Sequence, residues 1–167
     1  MELIQLIDED FISYKKASMV LGFPKCDFKC DHECGVRVCQ NSHLASQKPI
    51  EISINEIVDR YITNDITHAI VCHGLEPFDS WEDLLDFIKI FVSKSDDDIV
   101  IYNGYTELEI KDKVDILRDV VGDKNTLIIK YGRYIPNQQS HYDEFLGVNL
   151  ASDNQYSIIE NKMKVMS

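Results

Sequence analysis

The chain has 167 residues, of which 44% are hydrophobic and 28% are charged. This size and composition predict a single globular domain, residues 1–167, with one core rather than a disordered chain. The net charge of -12 argues against nucleic acid as a partner, because phosphate binding needs a basic surface.

No apolar run in the sequence approaches the roughly 18 residues that a membrane-spanning helix needs. The first segment, Met1 to Asp10, is acidic and unlike a secretory signal. We therefore expect a cytoplasmic location and no membrane partner. In that compartment, clustered cysteines are more often metal ligands than disulfides.

A dense group of cysteines follows the first predicted strand, the apolar run Ala17 to Phe23. Pro24 ends the strand, and the loop over residues 24–44 holds four of the five cysteines: Cys26, Cys30, Cys34 and Cys39. Their gaps of three, three and four residues differ from the paired Cys-x2-Cys spacing usual at structural zinc sites. The loop therefore predicts a metal centre and favours an iron–sulfur cluster, with zinc as the alternative. Four thiolates would close a four-iron cluster, whereas three would leave one iron open, and counting cysteines does not decide between them.

After this loop, helix and strand patterns alternate. Ser53, followed three residues later by Glu56, predicts the start of a first helix. Ser80 predicts the start of a second helix, and Thr106 to Val121 a third, with Leu108 among its inward positions. The predicted strands are short apolar runs: Thr67 to Cys72, Asp98 to Tyr102, Asn125 to Lys130 and a last one near Tyr156 to Ile159. From Gly132 onwards the sequence is polar and periodicity fades.

This alternation predicts the α/β class, with helices packed on a mostly parallel sheet. Four to six strands are too few for a closed eight-stranded barrel, so βα units forming an open, partial barrel fit the length. In such sheets ligands bind at the carboxyl ends of the strands. Three segments fall there: the cysteine loop, Gly74 to Pro77, and Asn103 to Tyr105. Cys72, inside a strand, is interpreted as a core thiol. For His73, a structural or solvent-facing role is favoured over a ligand contact, which stays open as the alternative.

Several motifs resemble those of the radical S-adenosylmethionine (SAM) family. Cys26-x3-Cys30 and Cys39-Gln40-Asn41 match the two ends of its Cys-x3-Cys-x2-Cys-x-Asn signature, with eight residues rather than two between Cys30 and Cys39. Downstream, four segments resemble further family motifs in the same order: Gly74-Leu75-Glu76-Pro77, Tyr102-Asn103-Gly104-Tyr105-Thr106, Tyr131-Gly132-Arg133-Tyr134, and Leu146-Gly147 with Ser152-Asp153-Asn154-Gln155. Within the family, the chain is most similar to the activating proteins of anaerobic ribonucleotide reductases.

The resemblance implies a partial (β/α) barrel of the radical SAM type, with a 4Fe-4S cluster and SAM as cofactors. It implies Cys26, Cys30 and Cys39 as cluster ligands, with Cys34 as an alternative or fourth ligand. It also implies contacts with SAM from one set of residues: Gly74, Leu75, Glu76, Pro77, Asn103 and Tyr105. Glu76 would accept hydrogen bonds from the amino group of SAM, and no catalytic residue is expected beyond the cluster and cofactor ligands.

The function implied is that of an activase, which generates a glycyl radical on an anaerobic ribonucleoside-triphosphate reductase or a related enzyme. A flavodoxin or ferredoxin would supply the electron. Within the polar C-terminal segment, residues 132–167, the stretch from Gly132 to Gln155 is a candidate for helping to dock the partner. Two alternatives remain. One is a radical SAM enzyme that acts on a small molecule, a peptide or an RNA base. The other is a non-catalytic interaction module that holds a cluster or zinc.

Overall fold

The computed structural model describes residues 1–25 and 48–162. The predicted cluster ligands Cys26, Cys30, Cys34 and Cys39 therefore lie outside the described residues, together with most of the cysteine loop.

Ten strands occur in the described ranges. In chain order they are β1 (Glu2–Leu3), β2 (Gln5–Asp10), β3 (Ser18–Phe23), β4 (Ile50–Glu51), β5 (Ala69–Gly74), β6 (Asp98–Tyr102), β7 (Leu127–Tyr131), β8 (His141–Asp143), β9 (Val148–Leu150) and β10 (Tyr156–Ile159). The helices of the described part are α1 (Ile54–Ile62), α2 (Trp81–Lys94) and α3 (Lys111–Val121), and a 3-10 turn at Pro77–Ser80 precedes α2.

Six of these strands form one mixed sheet in the order β10-β7-β6-β5-β3-β2. The four central strands, from β3 to β7, are parallel to their neighbours, as the continuous apolar runs predict. The two outer strands, β2 and β10, pair antiparallel with the sheet. The six described strands do not close into a barrel, and the open, partial barrel of the radical SAM type stays a prediction.

Helix α1 begins where the capping box predicts. The Ser53 hydroxyl accepts a hydrogen bond of 3.1 Å from the backbone N–H of Glu56, which satisfies one of the donors left open at a helix start. The apolar positions then bury Ile57, Val58 and Tyr61, spaced so that they share one face. This confirms the predicted helix.

Helix α3 begins five residues later than predicted, at Lys111 instead of Thr106. The preceding residues form a local turn, in which the Glu109 carboxylate accepts from the backbone N–H of Thr106 at 3.0 Å and Glu109 N–H donates back to the Thr106 hydroxyl at 3.3 Å. The inward prediction for Leu108 is wrong, because the residue is 83% exposed, whereas Ile110, which is also predicted to face inward, is buried. Side-chain bonds of this kind compete with helical ones.

The two faces of the sheet carry separate apolar clusters. On one face, alternate strand residues such as Leu21 and Cys72 pack with the helices. On the other, Val20 and Val71 pack with Tyr14 and the hairpin formed by β8 and β9. Cys72 is fully buried, which confirms its prediction as a core thiol. No helix among the described residues has the length and apolar character needed to cross a bilayer.

Candidate functional site

The carboxyl ends of the central strands lie at one edge of the sheet, because these strands are parallel. There, two backbone hydrogen bonds attach the turn after β5 to the end of β3 and to the start of the cysteine loop. Leu75 N–H donates to the Phe23 carbonyl at 3.0 Å, and Glu76 N–H donates to the Lys25 carbonyl at 2.8 Å. Lys25 is the residue before Cys26. Glu76 is therefore held beside the segment that leads into the first predicted cluster ligand.

Gly74 makes this close approach possible. Its φ is +98°, and a Cβ at this position would lie 2.5 Å from the backbone nitrogen of Phe23. Only glycine has both the left-handed freedom and the absence of a side chain that this contact requires. Leu75, which follows, is not among the described residues with positive φ, so its side chain is accommodated without backbone strain.

The Glu76 carboxylate joins two of the strand ends. Its side chain is buried, with the residue only 5% exposed. Oε1 accepts from the backbone N–H of Gly104, in the loop after β6, at 2.7 Å. Oε2 accepts from Phe78 N–H at 3.1 Å and caps the 3-10 turn. A carboxylate can accept about four hydrogen bonds, so a further donor can still be accommodated.

Burial raises the pKa of Glu76 to about 8. The two backbone hydrogen bonds, from Gly104 and Phe78, oppose this rise, and the charge of Asp79 adds to it. A buried acid of this kind ionises more readily when a cation lies against it. Perturbed carboxyl groups at strand ends are frequent in binding sites, and Glu76 is suited to an ammonium group.

Asn103 and Tyr105, the other predicted SAM contacts, have protein partners. The Asn103 side chain donates to the Lys130 carbonyl at 2.6 Å and accepts from Tyr105 N–H at 2.7 Å. The Tyr105 hydroxyl donates to Asp79 at 2.5 Å. These contacts connect the ends of β6 and β7 with the 3-10 turn. They place both residues at the predicted edge, while contact with SAM remains a prediction.

Two further predicted motifs meet beside them. Gly132, after β7, has a φ of +100° and lies so close to the 152–155 segment that a Cβ would be 2.9 Å from the Asn154 carbonyl oxygen. Gln155 donates to the Gly132 carbonyl at 3.4 Å. The pair Leu146-Gly147 does not join this edge, since the Leu146 carbonyl accepts from Lys15 N–H at 2.8 Å and Leu146 packs on the sheet face opposite the helices.

Lys130 is a site-edge residue that sequence analysis missed. It is 8% exposed, and its ammonium group donates to the carbonyls of Asn103 at 3.2 Å and Gly132 at 2.9 Å. The sequence signal that could have identified Lys130 was a lysine inside an otherwise apolar strand. Such a lysine indicates a bonded site, because a buried charge needs partners.

No group of three or more metal-binding side chains occurs within residues 1–25 and 48–162. Cys72 lies in the core, where burial raises the pKa of its thiol, so it is not available as a thiolate ligand. The choice between Cys34 and Cys39 as third ligand rests on the sequence alone and stays a prediction.

Comparison with known protein families gives a match over most of the chain. A model described as a 4Fe-4S single cluster domain matches residues 18–155. This range covers most of the chain, including the four clustered cysteines and the strand ends described above. No curated protein and no solved structure matches the chain.

Proposed function

We propose, since the chain belongs to the 4Fe-4S single cluster domain family, that it is a SAM-dependent radical enzyme of the activase type. Family membership makes it an iron–sulfur protein. The dependence on SAM and the generation of a glycyl radical are the proposed steps beyond that. They are supported by the order of the motifs and by the site at the carboxyl edge of the sheet.

The observation that carries the proposal is the position of Glu76. Its backbone is attached to Lys25, next to Cys26, and its buried carboxylate is attached to Gly104. An acid of raised pKa beside the cysteine loop suits a ligand that combines an ammonium group with a group that binds iron. SAM would be such a ligand, since it carries an amino group and a carboxylate, and the carboxylate would bind an open iron of the cluster.

The residues present fit this assignment. Cys26, Cys30 and Cys39 would hold the cluster, with Cys34 as the alternative or fourth ligand. Glu76 would accept from the ammonium group of SAM and give up its own proton as the charges pair. Gly104 leaves room beside it, since a Cβ there would meet no atom closer than 3.8 Å. The bound cofactors would supply reductive cleavage of SAM, while the chain orients them and limits access of water.

The proposed partner is a glycyl-radical enzyme such as the large subunit of an anaerobic ribonucleotide reductase, with flavodoxin or ferredoxin as electron donor. Support for a protein partner comes from the β8–β9 hairpin, which carries Tyr142 at 63% and Phe145 at 42% exposure. Exposed aromatic side chains are enriched where proteins dock. The net charge of -12 disfavours the alternative of an RNA substrate.

A second candidate is a non-catalytic iron–sulfur protein. It is favoured by one observation, that residues 26–39 contain four cysteines, enough to ligate every iron of a 4Fe-4S cluster. A fully ligated cluster would carry or sense electrons and would not bind SAM.

Glu76→Gln tests the proposal through SAM affinity. Anaerobically reconstituted protein is titrated with SAM, and binding is followed by calorimetry and by the electron paramagnetic resonance spectrum of the reduced cluster. Replacing the carboxylate removes a charge-assisted hydrogen bond worth about 1.5–3 kcal/mol, so affinity should fall about tenfold or more while iron content is unchanged.

Glu82→Gln is the matched control, because Glu82 is exposed in the first turn of α2. It should bind SAM as the wild type does. Equal affinity of the Glu76→Gln protein would contradict the role of Glu76. A wild-type protein that holds a cluster and binds no SAM would favour the electron-carrying candidate.

The activase step has its own test. The reconstituted protein is mixed with a purified anaerobic ribonucleotide reductase from the same source, together with SAM and reductant. A glycyl radical signal in the reductase is expected. Cleavage of SAM without that signal would retain the radical SAM assignment and reject this partner.

A further inference from the structure

On the sheet face opposite the helices, residues that pair across neighbouring strands form rows that run over all six strands. The strand registers align one fully apolar row: Ile7, Val20, Val71, Val100, Ile128 and Ile159. Four members of this row, Val20 to Ile128, are completely or almost completely buried, and the two outer ones pack against them. An apolar row therefore crosses this face of the sheet.

Two residues closer to the carboxyl edge, the next row on the same face is polar or glycine throughout: Gln5, Gly22, His73, Tyr102, Lys130 and Ser157. Pairing aligns Gln5 with Gly22, Gly22 with His73, Tyr102 with Lys130, and Lys130 with Ser157. His73 is level with Tyr102, because the residues before them, Cys72 and Ile101, are paired. Side chains two positions apart on a strand share a face. The polar row therefore lies next to the apolar row on the same face, on the side of the carboxyl edge.

Most side chains of the polar row have identified partners. The Tyr102 hydroxyl donates to the Ser13 carbonyl, and the Ser157 hydroxyl donates to Asp143 at 2.6 Å. Lys130 donates to two loop carbonyls, as described above. For the His73 imidazole, the described residues provide no hydrogen bond, although the side chain is only partly exposed.

His73 is also close in sequence to the proposed SAM site. It is the residue before Gly74 and lies three positions before Glu76. Burial lowers the pKa of His73, and the charge of Asp10 acts in the opposite direction. The imidazole is therefore neutral near pH 7, and it can both donate and accept a hydrogen bond.

We propose that the polar row lines a ligand chamber, and that His73 hydrogen-bonds an uncharged polar group of SAM bound there. This inference rests on the proposed function. A neutral imidazole suits a hydroxyl group, such as those of the ribose, whereas Glu76 suits the ammonium group. It assigns His73 a ligand contact instead of the structural or solvent-facing role that the sequence favours.

Chemical protection tests the proposal without measuring activity. Diethyl pyrocarbonate modifies neutral imidazoles that solvent can reach, and peptide mass spectrometry locates the products. In the reconstituted protein, His73 should be modified slowly without SAM and should be protected when SAM is saturating. His68, which is exposed and directly precedes β5, should react equally in both conditions. Equal modification of His73 with and without SAM would overturn the proposal, and so would its complete inertness without SAM.

Substitution provides a second measurement. His73→Ala should weaken SAM binding about three- to tenfold, the effect of one uncharged hydrogen bond, and His73→Gln should recover much of the loss because an amide both donates and accepts. His68→Ala should bind normally. If the His73→Ala protein folds and binds SAM with wild-type affinity, the proposed contact is overturned. If this variant does not fold, the chemical protection of His73 by SAM decides whether the contact exists.

The outcomes separate this inference from the proposed function. A wild-type protein that holds its cluster and binds no SAM overturns both. A wild-type protein that binds SAM and leaves His73 reactive overturns only the contact by His73.

Discussion

At the scale of single residues, the buried Glu76 carboxylate connects the loop after β6 with the 3-10 turn before α2. An acid between Leu75 and Pro77, after an apolar strand, indicated a functional position. The sequence did not indicate its two backbone donors, Gly104 and Phe78, because Gly104 is separated from it by 28 residues and meets it only through the parallel sheet. The site role of Lys130 could not be predicted for the same reason, because its carbonyl partners belong to loops.

The raised pKa of Glu76 predicts a specific pH dependence of stability. The pKa rises from its ordinary 4.5 to about 8 in the fold, so in that interval the folded protein keeps a proton that the unfolded chain releases. The free energy of unfolding should therefore decrease as pH rises from 4.5 to 8 and should not decrease further, through this group, above 8. Urea denaturation of the apoprotein at several pH values measures this change in the free energy of unfolding.

Comparison with Glu76→Gln isolates this group, because glutamine does not titrate. The difference in stability between wild type and variant should shift in favour of the variant up to pH 8. Glu82→Gln, at an exposed position, should follow the wild type. A difference between wild type and Glu76→Gln that stays constant over this range would show that Glu76 ionises in the fold as it does in the unfolded chain.

At the scale of elements, helix starts were predictable only where the local signal was unambiguous. The capping box at Ser53 gave the start of α1 correctly. The pattern around Leu108 allowed a helix from Thr106, but Thr106 and Glu109 bond to each other's backbone and delay α3. Apolar spacing alone did not reveal this local turn, because the turn depends on the side-chain bonds of Thr106 and Glu109.

The Ser53 cap can be tested directly. Ser53→Ala removes the bond to Glu56 N–H and should lower the free energy of unfolding by about 1 kcal/mol, measured by denaturant titration. Ser93→Ala is the control, because the Ser93 hydroxyl bonds back to the Ile90 carbonyl within α2 and alanine is at least as favourable there. Equal effects of the two substitutions would contradict the capping role.

Gly74, at the end of β5, lies against the end of β3. Gly74→Ala should destabilise the protein by about 1–3 kcal/mol or more, through strained backbone and a Cβ placed 2.5 Å from Phe23 N. Gly122→Ala is a matched control, since Gly122 also has a positive φ, +63°, but a Cβ there meets nothing within 4 Å. A cost for Gly74→Ala no larger than that for Gly122→Ala would show that the close approach to β3 is not restrictive.

At the scale of the whole molecule, the parallel centre of the sheet was predictable and its edges were not. Continuous apolar runs indicate strands buried on both faces, and these became β3, β5, β6 and β7. The hairpin of β8 and β9 has strands of three residues each in a polar segment, too short for a periodic signal. Its packing against Tyr14 and Val20 is a long-range contact that no local pattern encodes.

The cluster ligands are assigned from the sequence alone, because all four clustered cysteines lie outside the described residues. Cys39→Ala should abolish binding of iron and sulfide during anaerobic reconstitution, whereas Cys34→Ala should retain it, as measured by iron and sulfide content and visible absorption. Cys72→Ala, in the core, should lower stability and leave cluster content unchanged. Loss of the cluster in Cys34→Ala and its retention in Cys39→Ala would reverse the assignment of the third ligand.

We propose that the cluster and the edge of the sheet that contains Glu76 together make a SAM-cleaving site. The direct measurement is to reduce the reconstituted protein anaerobically, add SAM and quantify methionine and 5′-deoxyadenosine by chromatography. Both products are expected in equal amounts, and the Glu76→Gln protein is expected to form far less of them at subsaturating SAM. A protein that carries a complete, reducible 4Fe-4S cluster and releases neither product would contradict it.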